Sequence, residues 1–218
     1  MALVFFRPRP IDQTVHGPVL SVLLKQKNGP PGVSVGKFKF HRGFVQCLPI
    51  TDTNLLKHGE ELAAVSPLDS IEICGNALDV VRLAASPILL HIRRLAVGMS
   101  GMRDHKFATL LGSPHLLNVL AFYAHNNRLG VTACQALRRA NLPTFRCLSL
   151  YGNPIGDAGL AAIRYSRWFL QLEELRIGEC GLSEAAIVAL VSDSCCAGVR
   201  KLSVGDETHG ETAARAVL

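Results

Sequence analysis

A short apolar motif recurs along the chain at nearly constant spacing. Its template is L-x-x-L-x-L-x-x-N/C, where x is any residue and the last position is Asn or Cys. Each central apolar residue follows the previous one by 23 to 28 positions. Seven copies at such a period are typical of repeat architectures with about 20 to 29 residues per repeat. The seven central residues are Leu48, Ile71, Leu95, Leu120, Leu148, Leu175 and Leu202.

Each copy predicts one short strand. The alternation at the L-x-L centre gives a strand with one buried face. The clearest copies cover residues 68–76, 145–153 and 172–180. In the fourth of the seven copies, we expect His125 or Asn126 to take the last position. A polar side chain there can satisfy backbone groups that would otherwise be buried without a partner. In the clearest copies this residue is Asn76, Asn153 and Cys180.

Helical segments are predicted between the strands. Asp104, Asp157 and Ser183 each stand where an N-cap residue would precede apolar residues at helical spacing. Proline stops a helix before the next strand, and four pairs suit that role. They are Ser66-Pro67, Ser86-Pro87, Ser113-Pro114 and Leu142-Pro143. The alternation predicts an α/β solenoid, with short parallel strands on the concave face and helices on the convex face.

These motifs resemble a known family. Residues 40–45 (FHRGFV), 55–62 (LLKHGEEL) and 153–159 (NPIGDAG) are similar to segments of bacterial leucine-rich-repeat proteins of the ribonuclease-inhibitor-like type that carry a short repeat-companion domain. The resemblance covers residues 40–218 and implies a horseshoe without catalytic residues. The Tyr-Ala-Asp-Trp-Leu-like helix of the companion domain has no counterpart in residues 1–39, so we expect a shortened or divergent N-terminus.

The charge distribution divides the chain into two parts. We expect a basic N-terminal segment or cap over residues 1–39 and a leucine-rich-repeat domain of six to seven repeats over residues 40–218. The net charge of +6 resides in the first 42 residues, which hold seven Lys and Arg and a single Asp. Such asymmetry can mark an anion-binding arm. A solvated leader is the favoured interpretation, which makes a nucleic-acid partner the less favoured one.

Composition and motifs argue against several functional classes. Seven cysteines without a C-x-x-C pair favour a reducing compartment, and we expect a cytoplasmic protein. No apolar run approaches the roughly 20 residues that span a membrane. No phosphate-binding glycine motif and no paired nucleophile and base occur. We therefore expect no enzymatic activity, no cofactor and no metal.

The concave face is the expected binding surface. Tyr123 and Tyr151 are expected to lie side by side in a weakly polar patch, although they could only stack on each other. Arg94 and Arg176 are expected to flank this patch, and both residue types are favoured at interfaces. The candidate partner-binding residues are Arg94, Val119, Ala121, Tyr123, Cys147, Ser149, Tyr151 and Arg176.

Three functional hypotheses follow. The leading one is a non-catalytic scaffold that binds an unidentified protein on its concave face. The alternatives are an anionic-polymer binder that uses the basic N-terminal segment, and a partial relative of longer repeat proteins. The copy centred at Leu202 is followed by only a short apolar tail, so its strand would present an unpaired edge. We expect either self-association through this C-terminal end or a natural chain that continues beyond Leu218.

Overall fold

A computed structural model of the chain describes residues 39–41, 44–65, 68–75 and 78–205. Most of the basic N-terminal segment and the whole C-terminal tail lie outside these ranges, as do Ser66-Pro67 and Asn76. The expectations that concern them therefore stay predictions.

Strands and helices alternate along the described part of the chain. The strands are β1 Lys39–His41, β2 Phe44–Ile50, β3 Ser70–Ile73, β4 Arg94–Ala96, β5 Ala121–Tyr123, β6 Cys147–Ser149, β7 Glu174–Arg176 and β8 Lys201–Ser203. The α-helices are α1 Asp52–Val65, α2 Val80–Ala85, α3 Asp104–Leu111, α4 Val131–Arg139, α5 Gly156–Arg164 and α6 Glu184–Val191. None of the helices within the described ranges has the length and apolar character needed to cross a bilayer.

The strands form one sheet in sequence order. Strands β2 to β8 are all parallel, and each pairs with the next after one helical connection. Strand β1 pairs antiparallel with β2 at the N-terminal edge, a hairpin that the repeat pattern does not predict. The fold is thus α/β, with a seven-stranded parallel sheet and alternating helices, and its order is compatible with a solenoid-like repeat.

The core is a thin apolar layer between sheet and helices. Its strand side consists of one central residue from each parallel strand, and all of them are buried: Leu48, Ile71, Leu95, Phe122, Leu148, Leu175 and Leu202. Helical residues such as Leu83, Phe107, Leu137, Leu160 and Leu190 belong to the same cluster. The opposite side of the sheet, which we call the open face, carries the residues that flank these central positions.

The register expected for the fourth copy is wrong. Phe122, not Leu120, pairs with Leu95 and Leu148. Val119 is therefore the first apolar position of this copy and is fully buried, so it cannot belong to a binding surface. The shift of two residues brings the Phe122 ring edge-on to Phe107, with 5.6 Å between centroids. It also makes Asn127 the last residue of the copy.

The helix starts are only partly as expected. Ser183 is an N-cap, because its hydroxyl accepts a hydrogen bond from the N–H of Ala186. Asp104 and Asp157 are not N-caps, because both lie inside the first turn of their own helix. Each carboxylate instead accepts a backbone N–H at the start of the next helix, from Gly130 at 2.7 Å and from Ser183 at 2.8 Å. These aspartates join neighbouring repeats.

Candidate functional site

The pairing register arranges the open face in rows that cross the strands. The first row contains Ser70, Arg94, Ala121, Cys147, Glu174 and Lys201. The second row contains Glu72, Ala96, Tyr123, Ser149, Arg176 and Ser203. A third row follows where the strands end, and backbone hydrogen bonds hold it together: Gly98, His125, Tyr151 and Gly178. Neighbours within a row are about 4.8 Å apart at the backbone.

The two tyrosines are not neighbours in one row. Tyr123 pairs with Ser149 in the second row, whereas Tyr151 follows two residues later in the third row. The expected side-by-side pair assumed the wrong register for Tyr123. The residue beside Tyr151 on the preceding strand is His125, whose carbonyl accepts the N–H of Met99 on one side of the row. His125 and Tyr151 are thus the ring-bearing residues of the third row.

Glycines at both ends of the third row accommodate these rings. A Cβ placed on Gly98 would lie 2.2 Å from Cε1 of His125, so the imidazole occupies the space above that glycine. A Cβ on Gly178 would lie 2.0 Å from the carbonyl oxygen of Gly205 and 3.1 Å from Cδ2 of Tyr151. The imidazole lies towards β4 and the phenol towards β7. The two rings therefore diverge and leave an opening between them.

This opening is a hollow of about 290 Å³ on the open face. The residues that line it are Glu72, Ala96, Tyr123, His125, Asn126, Ser149, Tyr151 and Arg176. Four of them belong to the sequence-based candidates. Among the other candidates, Arg94, Ala121 and Cys147 lie in the adjacent first row, and only Val119 is on the wrong side of the sheet.

Sequence reasoning did not select four of the lining residues. Glu72 and Ala96 occupy outward positions that the repeat template already defines, so a search of the whole second row would have found them. His125 and Asn126 were expected to end the repeat. Alignment of Asn127 with Asn153 places both of them on the open face, and this alignment is visible in the sequence.

Charged side chains border the hollow at its β7 side. Nε of Arg176 lies 2.5 Å from Oε1 of Glu174, and Nζ of Lys201 lies 3.5 Å from the same oxygen. On the other side, Nη1 of Arg94 lies 2.8 Å from Oδ2 of Asp69. All these groups are partly exposed, so the ion pairs add little stability. Their effect is to hold both predicted arginines in defined positions on the face.

Burial raises the pKa of two side chains at the centre of the open face, Tyr123 and Cys147. It raises the pKa of the Tyr123 phenol, and the nearby Cys147 and Glu174 raise it further. Burial also raises the pKa of the Cys147 thiol, with Glu174 and Glu173 as further causes. Both groups are therefore protonated at neutral pH. Tyr123 offers a hydroxyl donor, and Cys147 is a poor nucleophile because only a thiolate attacks readily.

The polar side chains of the hollow include the imidazole of His125 and the hydroxyls of Tyr123, Ser149 and Tyr151. Among the described residues, His125 forms no hydrogen bond with Ser149 or Tyr123, although all three line the hollow. Within the same ranges, no group of three or more His, Cys, Asp or Glu side chains could hold a metal ion. The hollow combines aromatic rings, small residues and charged side chains.

Comparisons with known proteins add no assignment. No protein-family model matches the chain, and no curated protein matches it. The features of the molecule that bear on its function are the α/β repeat order of the sheet and the composition of its open face.

Proposed function

We propose that the chain is a leucine-rich-repeat solenoid of the ribonuclease-inhibitor-like type, a horseshoe with strands on its concave face and helices on its convex face. The support is the repeat of about one strand and one helix for every 23 to 27 residues between paired central positions. Further support comes from Asn127 and Asn153. Each amide donates to backbone carbonyls of its own repeat and of the preceding one, as the last residue of such a template should.

Its proposed function is that of a non-catalytic scaffold that binds a protein partner on the concave face. The observation that carries this proposal is the 290 Å³ hollow between His125 and Tyr151. Its floor contains the small residues Ala96 and Ser149, and Arg176 lies at its border. Aromatic and arginine side chains beside small residues can receive one projecting side chain of a partner and anchor it.

The proposed setting is the cytoplasm of a bacterium. The resemblance to bacterial repeat proteins supports the source. The seven cysteines, all of them free thiols, support a reducing compartment. Three of these thiols are buried, Cys134, Cys180 and Cys196, and the other four are partly buried.

The test is a co-purification experiment with two matched tyrosine variants. Tyr123→Ala removes a half-buried ring from the hollow, whereas Tyr165→Ala removes a largely exposed ring after α5, on the helical side. We expect the wild-type chain and Tyr165→Ala to retain the same partner from the native cell, and Tyr123→Ala to retain at least about fivefold less of it.

Thermal unfolding of both variants provides the control for folding. A partner that Tyr165→Ala loses and Tyr123→Ala retains would place the binding surface on the helices and contradict the proposal. Equal retention by both folded variants would also contradict it.

A further inference from the structure

Two arginines lie side by side on the loops that lead into α3 and α4. Arg103 precedes α3, Arg128 precedes α4, and the two form a parallel bridge outside the named strands. Residues paired in this way direct their side chains to the same side, with the backbones about 4.8 Å apart. Like charges directly opposite each other destabilise a pairing unless a counter-charge joins them.

No protein group supplies that counter-charge among the described residues. Neither guanidinium has an ion pair or hydrogen bond there. The nearby carboxylate belongs to Asp104, and its Oδ1 accepts the N–H of Gly130 at 2.7 Å. This bond joins the carboxylate to the start of α4, and the carboxylate forms no ion pair with either arginine within the described ranges.

The arginines border a concavity of about 540 Å³. It is separate from the hollow of the open face and shares no residue with it. Its lining residues are Arg103, Asp104, His105, Ala108, Arg128 and Thr132. The N-cap residues of α3 and α4, Arg103 and Gly130, make no side-chain capping hydrogen bond, while the carboxylate of Asp104 lies in the first turn of α3 and accepts the N–H of Gly130.

We propose that this concavity binds a single phosphate group, with Arg103 and Arg128 as its two cationic contacts. Guanidinium groups form paired hydrogen bonds with phosphate oxygens, and two of them fit a dianion better than a monoanion. Both arginines are exposed, so water weakens the repulsion between them, and a bound phosphate removes what remains of it.

The surroundings favour one phosphate group over a nucleic-acid backbone. A polyanion needs a row of cations, since its affinity grows with the number of phosphates contacted. The sequence contains no basic residue from Cys147 to Ile163, the next repeat, where Pro154 and Asp157 stand instead. The cations do not continue into that repeat, so the expected ligand is inorganic phosphate or a phosphate monoester.

The experiment is an NMR titration of the full chain with inorganic phosphate and, separately, with glycerol phosphate, at constant ionic strength set with sodium chloride. We expect amide shifts at residues 103–106 and 128–133. R103Q and R128Q should each weaken binding about fivefold or more. R139Q is the matched control, because it removes the same charge from the last turn of α4, and it should leave the affinity unchanged.

The two ligands distinguish the sources of the phosphate: tighter binding of glycerol phosphate indicates a monoester, and tighter binding of inorganic phosphate indicates the free ion. The proposal is overturned if neither ligand shifts these amides or if R139Q weakens binding as much as R128Q. It is also overturned if a single-stranded oligonucleotide binds more tightly than both ligands and depends equally on all three arginines.

Discussion

Asn127 shows how one side chain can join two repeats. Its amide nitrogen donates to the carbonyls of Val97, Ala124 and His125 at 2.9, 3.1 and 3.3 Å. Its oxygen accepts the N–H groups of Ser100 and Met102 at 3.1 and 3.0 Å. The side chain is buried, so each lost bond would leave a backbone group without water as a substitute.

We predict that Asn127→Ala lowers the free energy of unfolding by about 3 kcal/mol, because buried backbone donors and acceptors lose their partners. Asn141→Ala is the control. Asn141 is exposed after α4 and has no side-chain hydrogen bond to any described residue, so its replacement should change stability by less than about 0.5 kcal/mol. Urea unfolding of both variants gives the values, and equal effects would contradict the bridging role.

Because of Cys134 on α4, the free energy of unfolding changes with pH in the alkaline range. Burial raises the pKa of its thiol from 9.0 to about 12. The folded chain keeps this proton while the unfolded chain releases it above pH 9. Its contribution to stability is therefore complete below the unfolded pKa and declines as the pH rises towards the folded pKa, by about 1.4 kcal/mol per pH unit.

We predict that Cys134→Ala removes this part of the decline. Urea unfolding under reducing conditions at a series of pH values from 7 to about 10.5 should give a shallower loss of stability for the variant, with the difference near one proton per molecule. Parallel curves for the wild-type chain and the variant would show that the buried thiol does not control the alkaline slope.

Element by element, most strands could be predicted from the sequence, since a buried central residue with outward neighbours leaves a clear alternating pattern. The template predicts the copy around β5 two residues too early, because Leu120 matches it better than Phe122 does by residue type alone. Asn127, the last residue of this copy, indicates the correct register, because its side chain hydrogen-bonds to the backbone of its own repeat and of the preceding one. The hairpin partner β1 contains no repeat pattern and could not be predicted in this way.

The corrected register of β5 can be tested directly. Phe122 is fully buried, whereas Leu120 is only partly buried. We predict that Phe122→Ala lowers the free energy of unfolding by about 3–5 kcal/mol and that Leu120→Ala lowers it by less than about 2 kcal/mol, because only the first leaves a large cavity. Urea unfolding measures both, and the reverse order would restore the register expected from the sequence.

The helix starts show what single-sequence reasoning misses. An aspartate before an apolar helical stretch suggests an N-cap, and Ser183 meets that rule. Asp104 and Asp157 do not, since their carboxylates bind the next helix start 26 residues later. Such a contact depends on how repeats stack, and the local sequence around each aspartate contains no sign of it.

For the whole molecule, the sequence predicts which residues lie on the open face but not the hollow that they form there. The rows of outward residues follow from the repeat, and they include Tyr123, Ser149 and Arg176. The hollow itself depends on where two rings lie, and Gly98 leaves the space that the His125 imidazole occupies. Gly98 and Gly178 stand one repeat away from His125 and Tyr151, so their influence appears only after the strands are paired.

The C-terminal edge of the described sheet leads to a prediction about assembly. On β8, Lys201 donates its N–H to Glu173 and Ser203 accepts from Ile177, so both residues use their β7 side. The N–H and C=O of Leu202 point the other way, as alternate residues do in parallel strands. We predict concentration-dependent self-association through this edge, measured by sedimentation equilibrium. A monomer mass at every concentration would contradict it.

The central claim is that a protein partner binds the open face of the sheet. A photo-reactive phenylalanine analogue in place of Tyr123 tests it most directly, with the same analogue in place of Tyr165 as the control on the helical side. After irradiation in the native cell, the account predicts one discrete cross-linked adduct from position 123 and none from position 165. Adducts from position 165 alone would contradict it.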